Sequence, residues 1–300
     1  MRFDFGEVIT AMVTPMTVTG SVDYNKVEEL ISYLTSNGSD SVLVTATTGE
    51  SPTLTNEEEI NILKHAQKAV KNGAKIIMGT GSNSTETAVT MSIKAEQEKA
   101  DAILTVVPYY NKPSQQGIIA HFSAIADAVS IPVILYNIPS RTGVNMSVET
   151  VKYLAEKHSN IVALKQSFGD MDVISELKRA CPDDFTILSG DDSLTLPMLS
   201  LGAHGVVSVA SHLYGKEIKT MISEYKSGNV GLARDMHNKL YPMFKKLFMA
   251  PNPVPVKAAL QKRGLISEFV RKPLVELTNE QKVELFDTMS STEASLMVLL

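Results

Sequence analysis

An alternation constrains this chain more than any other feature. Short apolar runs recur at residues 8–13, 41–45, 75–78, 102–107, 132–136, 161–164, 185–188 and 205–209. Each is followed by a stretch whose apolar residues fall at helical spacing, as with Val27, Leu30, Ile31 and Leu34, or Ile118, Phe122 and Ile125. Runs apolar throughout, rather than every second residue, suit strands covered on both faces. The intervening stretches carry helix signals. Asp23 reads as an N-cap and Gly38 as a stop. Thr55-Asn56-Glu57-Glu58 reads as a capping box. Eight strands, each followed by a helix, predict a parallel (β/α)8 barrel of the α/β class. Repeats of roughly 25 to 30 residues over about 225 residues match its size. The alternative is an open doubly wound sheet, which more often carries a phosphate-binding glycine fingerprint after its first strand. Here Thr14-Pro15 follows that strand.

After residue 228 the strand pattern stops, and residues 231–249, 254–262 and 279–289 read as helices, with Pro251, Pro253 and Pro255 kinking the start of the second. We therefore expect a catalytic barrel at 1–228 and a helical extension at 229–300 packed on it. No linker is rich enough in Gly and Ser to separate independent domains.

Composition narrows the function. The chain of 300 residues is 44% hydrophobic and 20% charged, as in ordinary globular proteins. A net charge of −5 without a basic stripe argues against a nucleic-acid partner. The single cysteine, Cys181, permits no internal disulfide, which fits a reducing compartment. The first seven residues lack a signal-type apolar run, and no stretch approaches the roughly 20 apolar residues of a membrane span. A cytoplasmic location is expected. The six histidines (65, 121, 158, 204, 212 and 237) form no ligand-spaced cluster, and Asp191-Asp192 is a weak magnesium signal, so neither metal nor cofactor is expected. Gly79-Thr80-Gly81 lacks the third glycine of a dinucleotide fingerprint.

In a barrel of this kind the active site lies at the carboxyl ends of the strands. Strand six runs Ile161-Val162-Ala163-Leu164 into Lys165. A lysine ending a buried strand either snorkels to solvent or stands in a dry pocket as a carbonyl nucleophile. Taken alone, it reads as the snorkelling kind. Its neighbours on the rim change that reading: Thr47-Thr48 after strand two, Tyr109-Tyr110 after strand four, Tyr136 and Arg141 at strand five, and Gly190-Asp191-Asp192 after strand seven. Each has an ordinary reading by itself, such as a turn residue, a helix cap or a solvated charge. Together they suit carbonyl chemistry. Lys165 would be the nucleophile, Tyr136 would shuttle protons with Thr47, and Arg141 would grip a carboxylate bidentately.

The segments Thr47-Thr48-Gly49-Glu50, Pro108-Tyr109-Tyr110-Asn111-Lys112-Pro113, Tyr136-Asn137-Ile138-Pro139-Ser140-Arg141-Thr142-Gly143, Val162-Ala163-Leu164-Lys165, Ser189-Gly190-Asp191-Asp192 and Asn252-Pro253-Val254-Pro255-Val256-Lys257 together resemble the dihydrodipicolinate synthase family. That family belongs to the pyruvate-dependent class I aldolases. The resemblance spans nearly the whole chain in order. It implies a lyase of lysine and diaminopimelate biosynthesis. Lys165 would form a Schiff base with pyruvate, and the enamine would add to L-aspartate 4-semialdehyde, giving 4-hydroxy-tetrahydrodipicolinate. Tyr136, Thr47 and Tyr110 match the family's proton relay, with Tyr110 supplied by a neighbouring subunit. Thr48 and Val207 match pyruvate-contacting positions, Arg141 the semialdehyde-carboxylate position, and Gly190 a substrate-binding position. The same resemblance implies a homo-oligomer, at least a dimer and typically a tetramer.

Three departures stand out. Ala46 replaces a usual glycine, and Gln166-Ser167-Phe168 replaces acidic and small residues. The helix start Asn56-Glu57-Glu58-Glu59 lacks the histidine or aromatic residues of lysine-inhibited members, so weak or absent lysine feedback is expected. The runner-up function is an N-acetylneuraminate lyase or another sugar-acid aldolase, which usually lacks the arginine. The competitor from another class is a non-catalytic ligand-binding barrel, which would tolerate loss of Lys165 or Tyr136.

Overall fold

The computed structural model describes residues 3–298. The outermost residues of the two expected ranges, 1–2 and 299–300, lie outside it, as does the start of the N-terminal stretch read for a signal. Eight parallel strands close into a barrel in sequence order. They are β1 (Val8–Ala11), β2 (Ser41–Val44), β3 (Lys75–Gly79), β4 (Ala102–Val106), β5 (Val133–Asn137), β6 (Ile161–Gln166), β7 (Thr186–Ser189) and β8 (Gly205–Ser208). Between and after them run α1 (Tyr24–Ser36), α2 (Asn56–Ala69), α3 (Thr85–Gln97), α4 (Gln115–Ala128), α5 (Pro139–Thr142), α6 (Val148–Lys157), α7 (Met171–Ala180), α8 (Thr195–Ser200) and α9 (Ser211–Lys226). The extension adds α10 (Val230–Lys246), α11 (Val254–Lys262) and α12 (Asn279–Met297).

The continuous apolar runs divide by strand alternation into two cores. Ile9, Leu43, Ile77, Leu104, Ile134, Ala163, Leu188 and Val207 point inward and fill the barrel. Their neighbours Val8, Val42, Ile76, Ile103, Leu135, Leu164, Ile187 and Val206 point outward and meet the apolar stripes of the helices. Local chemistry fixes the helix starts. The Asp23 carboxylate accepts from Lys26 N–H at 3.1 Å. Thr55 and Glu58 complete the expected capping box, each side chain accepting from the other's backbone N–H, at 3.1 and 2.9 Å.

The structure differs from the sequence reading in three places. Strand limits move by a residue or two, as ladder ends do. The short α5 and the 3-10 turns Thr47–Gly49, Ser51–Thr53 and Asp192–Leu194 were not expected, because elements of one turn are too short to show a periodicity. Helix α12 runs to Met297 rather than stopping near 289. Its buried face continues Leu285, Met289, Thr292, Leu296, and Thr292 breaks the apolar pattern without breaking the helix. The exposed hydroxyls of Ser290 and Ser291 donate back to the carbonyls of Phe286 and Asp287, at 3.0 and 2.8 Å. In the extension, α10 packs against α9 and α12 and also rests on the Asp192–Leu194 turn, which brings the extension to the carboxyl rim of the barrel. No described helix is long and apolar enough to cross a membrane.

Candidate active site

Strands β5 and β6 pair so that Tyr136 lies directly beside Lys165. The Lys165 Nζ sits 4.1 Å from the centroid of the Tyr136 ring. Lys165 is 6% exposed and Tyr136 5%, so the lysine does not snorkel to bulk solvent. Both open onto a cavity of about 290 Å³ at the carboxyl end of the barrel. Thr47, Thr48, Arg141, Gly190 and Val207 line the same cavity. Seven of the eight residues singled out from the sequence therefore converge on it. Tyr110 does not. It is 88% exposed on the loop between β4 and α4, with φ of +72°.

Each wall has a local cause. Thr47–Gly49 forms a single 3-10 turn closed by Glu50 N–H donating to the Thr47 carbonyl at 3.1 Å. The Thr14 hydroxyl holds the turn against β1 by donating to the Gly49 carbonyl at 2.6 Å. On β5, Pro139 starts α5 at a position where its missing N–H is harmless. Gly143 ends that helix at φ +73°. The single turn between them carries Arg141 to the cavity, where no described residue engages its guanidinium. At Gly190 a Cβ would lie 1.9 Å from Ser167 Oγ and 3.1 Å from Lys165 Cε. A side chain here would have to displace the Ser167 hydroxyl and press on the lysine stem, and glycine avoids both.

The two aspartates play different parts. Asp191 lines the cavity and caps the following turn, its carboxylate accepting from Ser193 N–H at 2.9 Å. Asp192 is buried and accepts from the Ser208 hydroxyl and from the N–H groups of Val209 and Ala210, at 3.1 and 3.0 Å. Burial pushes its carboxyl up to about 6. It ties the ends of β7 and β8 together and so positions Val207. No group of three or more His, Cys, Asp or Glu among the described residues could hold a metal ion.

A smaller pocket of about 100 Å³ lies behind Thr47 and Tyr136 and is also lined by Ser51, Pro52 and Tyr109. The two pockets therefore share Thr47 and Tyr136 as a common wall.

Several residues of the site were missed in the sequence. Asn252 lines the cavity and donates from Nδ2 to Thr48 Oγ1 at 2.9 Å, while its Oδ1 is buried without a described partner. Phe244, Phe248 and Lys245 come from α10 and the residues after it, and no described residue pairs with the Lys245 ammonium. Ser167 lines the cavity with a hydroxyl that is buried and has no hydrogen-bond partner among the described residues. The Asn252-to-Lys257 segment stood out as a motif, but nothing local to it indicates a role.

A lysine and a tyrosine buried side by side at the carboxyl rim of a closed parallel barrel place the chain among the (β/α)8-barrel enzymes. The chain belongs to the dihydrodipicolinate synthetase family, whose model matches residues 4–292. Among its relatives, the 4-hydroxy-tetrahydrodipicolinate synthase of Desulforamulus reducens is 52% identical over 278 residues, 93% of this chain and 94% of that one. The enzyme of the same name from Bacillus subtilis is 48% identical, covering 96% and 99%. Among solved structures, DHDPS from Cyanidioschyzon merolae with lysine bound superposes with a TM-score of 0.95 at 47% identity, covering 96% and 98%.

Proposed function

We propose that this chain is a lyase that condenses pyruvate with L-aspartate 4-semialdehyde to 4-hydroxy-tetrahydrodipicolinate, in lysine and diaminopimelate biosynthesis. The carrying observation is the buried Lys165 amine over the Tyr136 ring, in a cavity that also presents Thr47, Thr48 and Arg141. The named relatives support the same reading. The amine of Lys165 adds to the C2 carbonyl of pyruvate, and loss of water from the carbinolamine gives the iminium. Tyr136 and Thr47 carry protons to and from the departing oxygen. The Thr47 and Thr48 hydroxyls hold the carboxylate, and Val207 and Gly190 shape the floor. Loss of a methyl proton gives an enamine, whose carbon attacks the semialdehyde carbonyl while Arg141 holds that substrate's carboxylate. The amine of the adduct then attacks C2 and displaces Lys165, closing the ring. One water leaves overall.

The exposed Tyr110 fits the reading only if it works in another copy of the chain. We assign it to the small pocket behind Thr47 and Tyr136 of a neighbouring subunit, which makes the active unit at least a dimer, with a dimer of dimers as the expected assembly. The partners are two small substrates and further copies of this chain, with no nucleic acid. We place the enzyme in the cytoplasm, where its single thiol stays reduced.

The test is to add pyruvate, reduce with borohydride and locate the adduct by mass spectrometry. The expected adduct is on Lys165, and Lys165→Ala should lose it while keeping its melting temperature within a few degrees. An adduct elsewhere, or wild-type turnover in that variant, would overturn the mechanism. Turnover of N-acetylneuraminate in place of aspartate semialdehyde would favour the sugar-acid alternative.

A further inference from the structure

The turn that carries Thr47 and Thr48 ends on Glu50, a non-glycine residue held at φ +58° in the left-handed region. Such a conformation persists only where its surroundings enforce it. Here most of the enforcement comes from far along the chain. Glu50 Oε1 accepts from Lys257 Nζ at 2.5 Å, and the two side chains are 1% and 0% exposed. Glu50 Oε2 accepts from Arg271 N–H at 2.9 Å. Lys257 Nζ also donates to the Phe269 carbonyl at 2.7 Å. The Arg271 guanidinium reaches the Thr53 carbonyl at 2.6 Å and both oxygens of Glu58 at 2.6 and 2.9 Å. The whole segment from Thr48 to Glu58 is thus fastened to residues 252–271.

We infer that the helical extension is a working part of the catalytic site, with the buried Glu50–Lys257 pair as the positioning element that aims the threonine pair. This rests on the proposed lyase reading and goes beyond it, since neither residue lines the cavity. The physical ground is the stake in the pair. A buried carboxylate whose directly paired cation is removed must be neutralised or find water, and either moves the backbone that carries it. Glu50 is joined to Thr47 by the hydrogen bond that closes the turn, so the threonine hydroxyls move with it. The expected boundary at residue 228 then marks a change in secondary structure rather than the limit of the catalytic unit.

The experiment compares Glu50→Gln, Lys257→Met and the neutral double variant in the full-length chain, with Glu293→Gln as control. Glu293 pairs with Arg263 at 2.7 Å within the extension, and Arg263 in turn donates to the Leu213 carbonyl of α9 at 2.8 Å, away from the cavity. For each single variant we expect at least a tenfold loss in the rate of borohydride-trapped pyruvate adduct and a raised KM for pyruvate, with the KM for the semialdehyde within about twofold of wild type. Glu293→Gln should lower the melting temperature without changing either KM. If Lys257→Met does not fold, the double variant, which buries no lone charge, and Glu50→Gln decide the matter. Wild-type trapping rate and pyruvate KM in a folded Glu50→Gln variant would overturn the inference. So would an equal shift of both KM values, or the same kinetic losses in Glu293→Gln. A wild-type protein that traps no pyruvate at Lys165 would instead overturn the lyase reading.

Discussion

Glu59 offers a quantitative handle on how the substrate-facing loop is built. It lies in the first turn of α2 and is 7% exposed, where it accepts a hydrogen bond from the Ser51 hydroxyl at 2.7 Å. Burial, with the neighbouring Glu58 charge adding to it, lifts its carboxyl from 4.5 to about 7. The folded state therefore keeps a proton that the unfolded state has lost. Below about pH 4.5 both states are protonated and the group contributes nothing. Between about pH 4.5 and 7 the unfolded state binds fewer protons than the folded state, so stability falls as pH rises. Above about pH 7 the full penalty stands. A lift of about 2.5 units at about 1.36 kcal/mol each gives roughly 3 kcal/mol. Glu59→Gln keeps an acceptor for Ser51 and removes the ionisation. Any fixed cost of burying the amide is the same at every pH, so the difference between two pH values isolates the charge. Relative to wild type, the variant should gain roughly 3 kcal/mol more at pH 8 than at pH 4.5, worth several degrees of melting temperature. Differential scanning at both pH values measures it. A melting offset that is the same at both would refute the assignment of a buried, proton-retaining Glu59.

Other expectations follow from the cavity. Gly190→Ala should cut turnover by at least tenfold at a modest stability loss, because the new methyl would collide with Ser167 Oγ and press on the lysine stem; steady-state kinetics and a melting curve separate the two effects. Arg141→Ala should raise KM for the semialdehyde by roughly tenfold or more, as expected when a charge-assisted carboxylate contact is lost, while pyruvate trapping on Lys165 proceeds normally. Submillimolar lysine should leave turnover unchanged, since the helix start at residues 56–59 offers no histidine or aromatic residue, its Glu58 is already engaged by Arg271 and its Glu59 is buried. Inhibition in a direct titration would count against this.

What could be read in the sequence was local or periodic. The strand runs, the capping box at Thr55 and the placement of Lys165 at a strand end all depend on residues within a few positions of one another. Two continuous strand runs, combined with the barrel's parallel order, were enough to put Tyr136 and Lys165 at the ends of neighbouring strands; the register that sets them side by side comes from the structure. What could not be read depends on closure across the chain. Asn252 meets Thr48 across 204 positions, and Lys257 meets Glu50 across 207; no periodicity or spacing encodes such a pair. The one-turn helix that aims Arg141 was invisible for the opposite reason, being too short to have a period.

The two departures next to the catalytic segments follow the same logic. Gln166 follows Lys165 in a strand, so it faces the other way. It is buried behind β6 in an amide network, where its Oε1 accepts from Asn137 Nδ2 at 3.0 Å, and Asn137 Oδ1 in turn accepts from Met146 N–H at 3.1 Å. An uncharged amide suits that place, because it needs no counter-ion and braces β5 against β6 one residue beyond Tyr136 and Lys165. Ala46 does line the cavity, but its φ of −102° and ψ of −166° are ordinary extended values. Its backbone therefore has no need of glycine, and the methyl group only narrows the cavity beside the threonines. Both substitutions leave the reacting groups in place: Gln166 because strand alternation turns it away, Ala46 because the left-handed turn that glycine would relieve falls instead at Thr45 and Glu50.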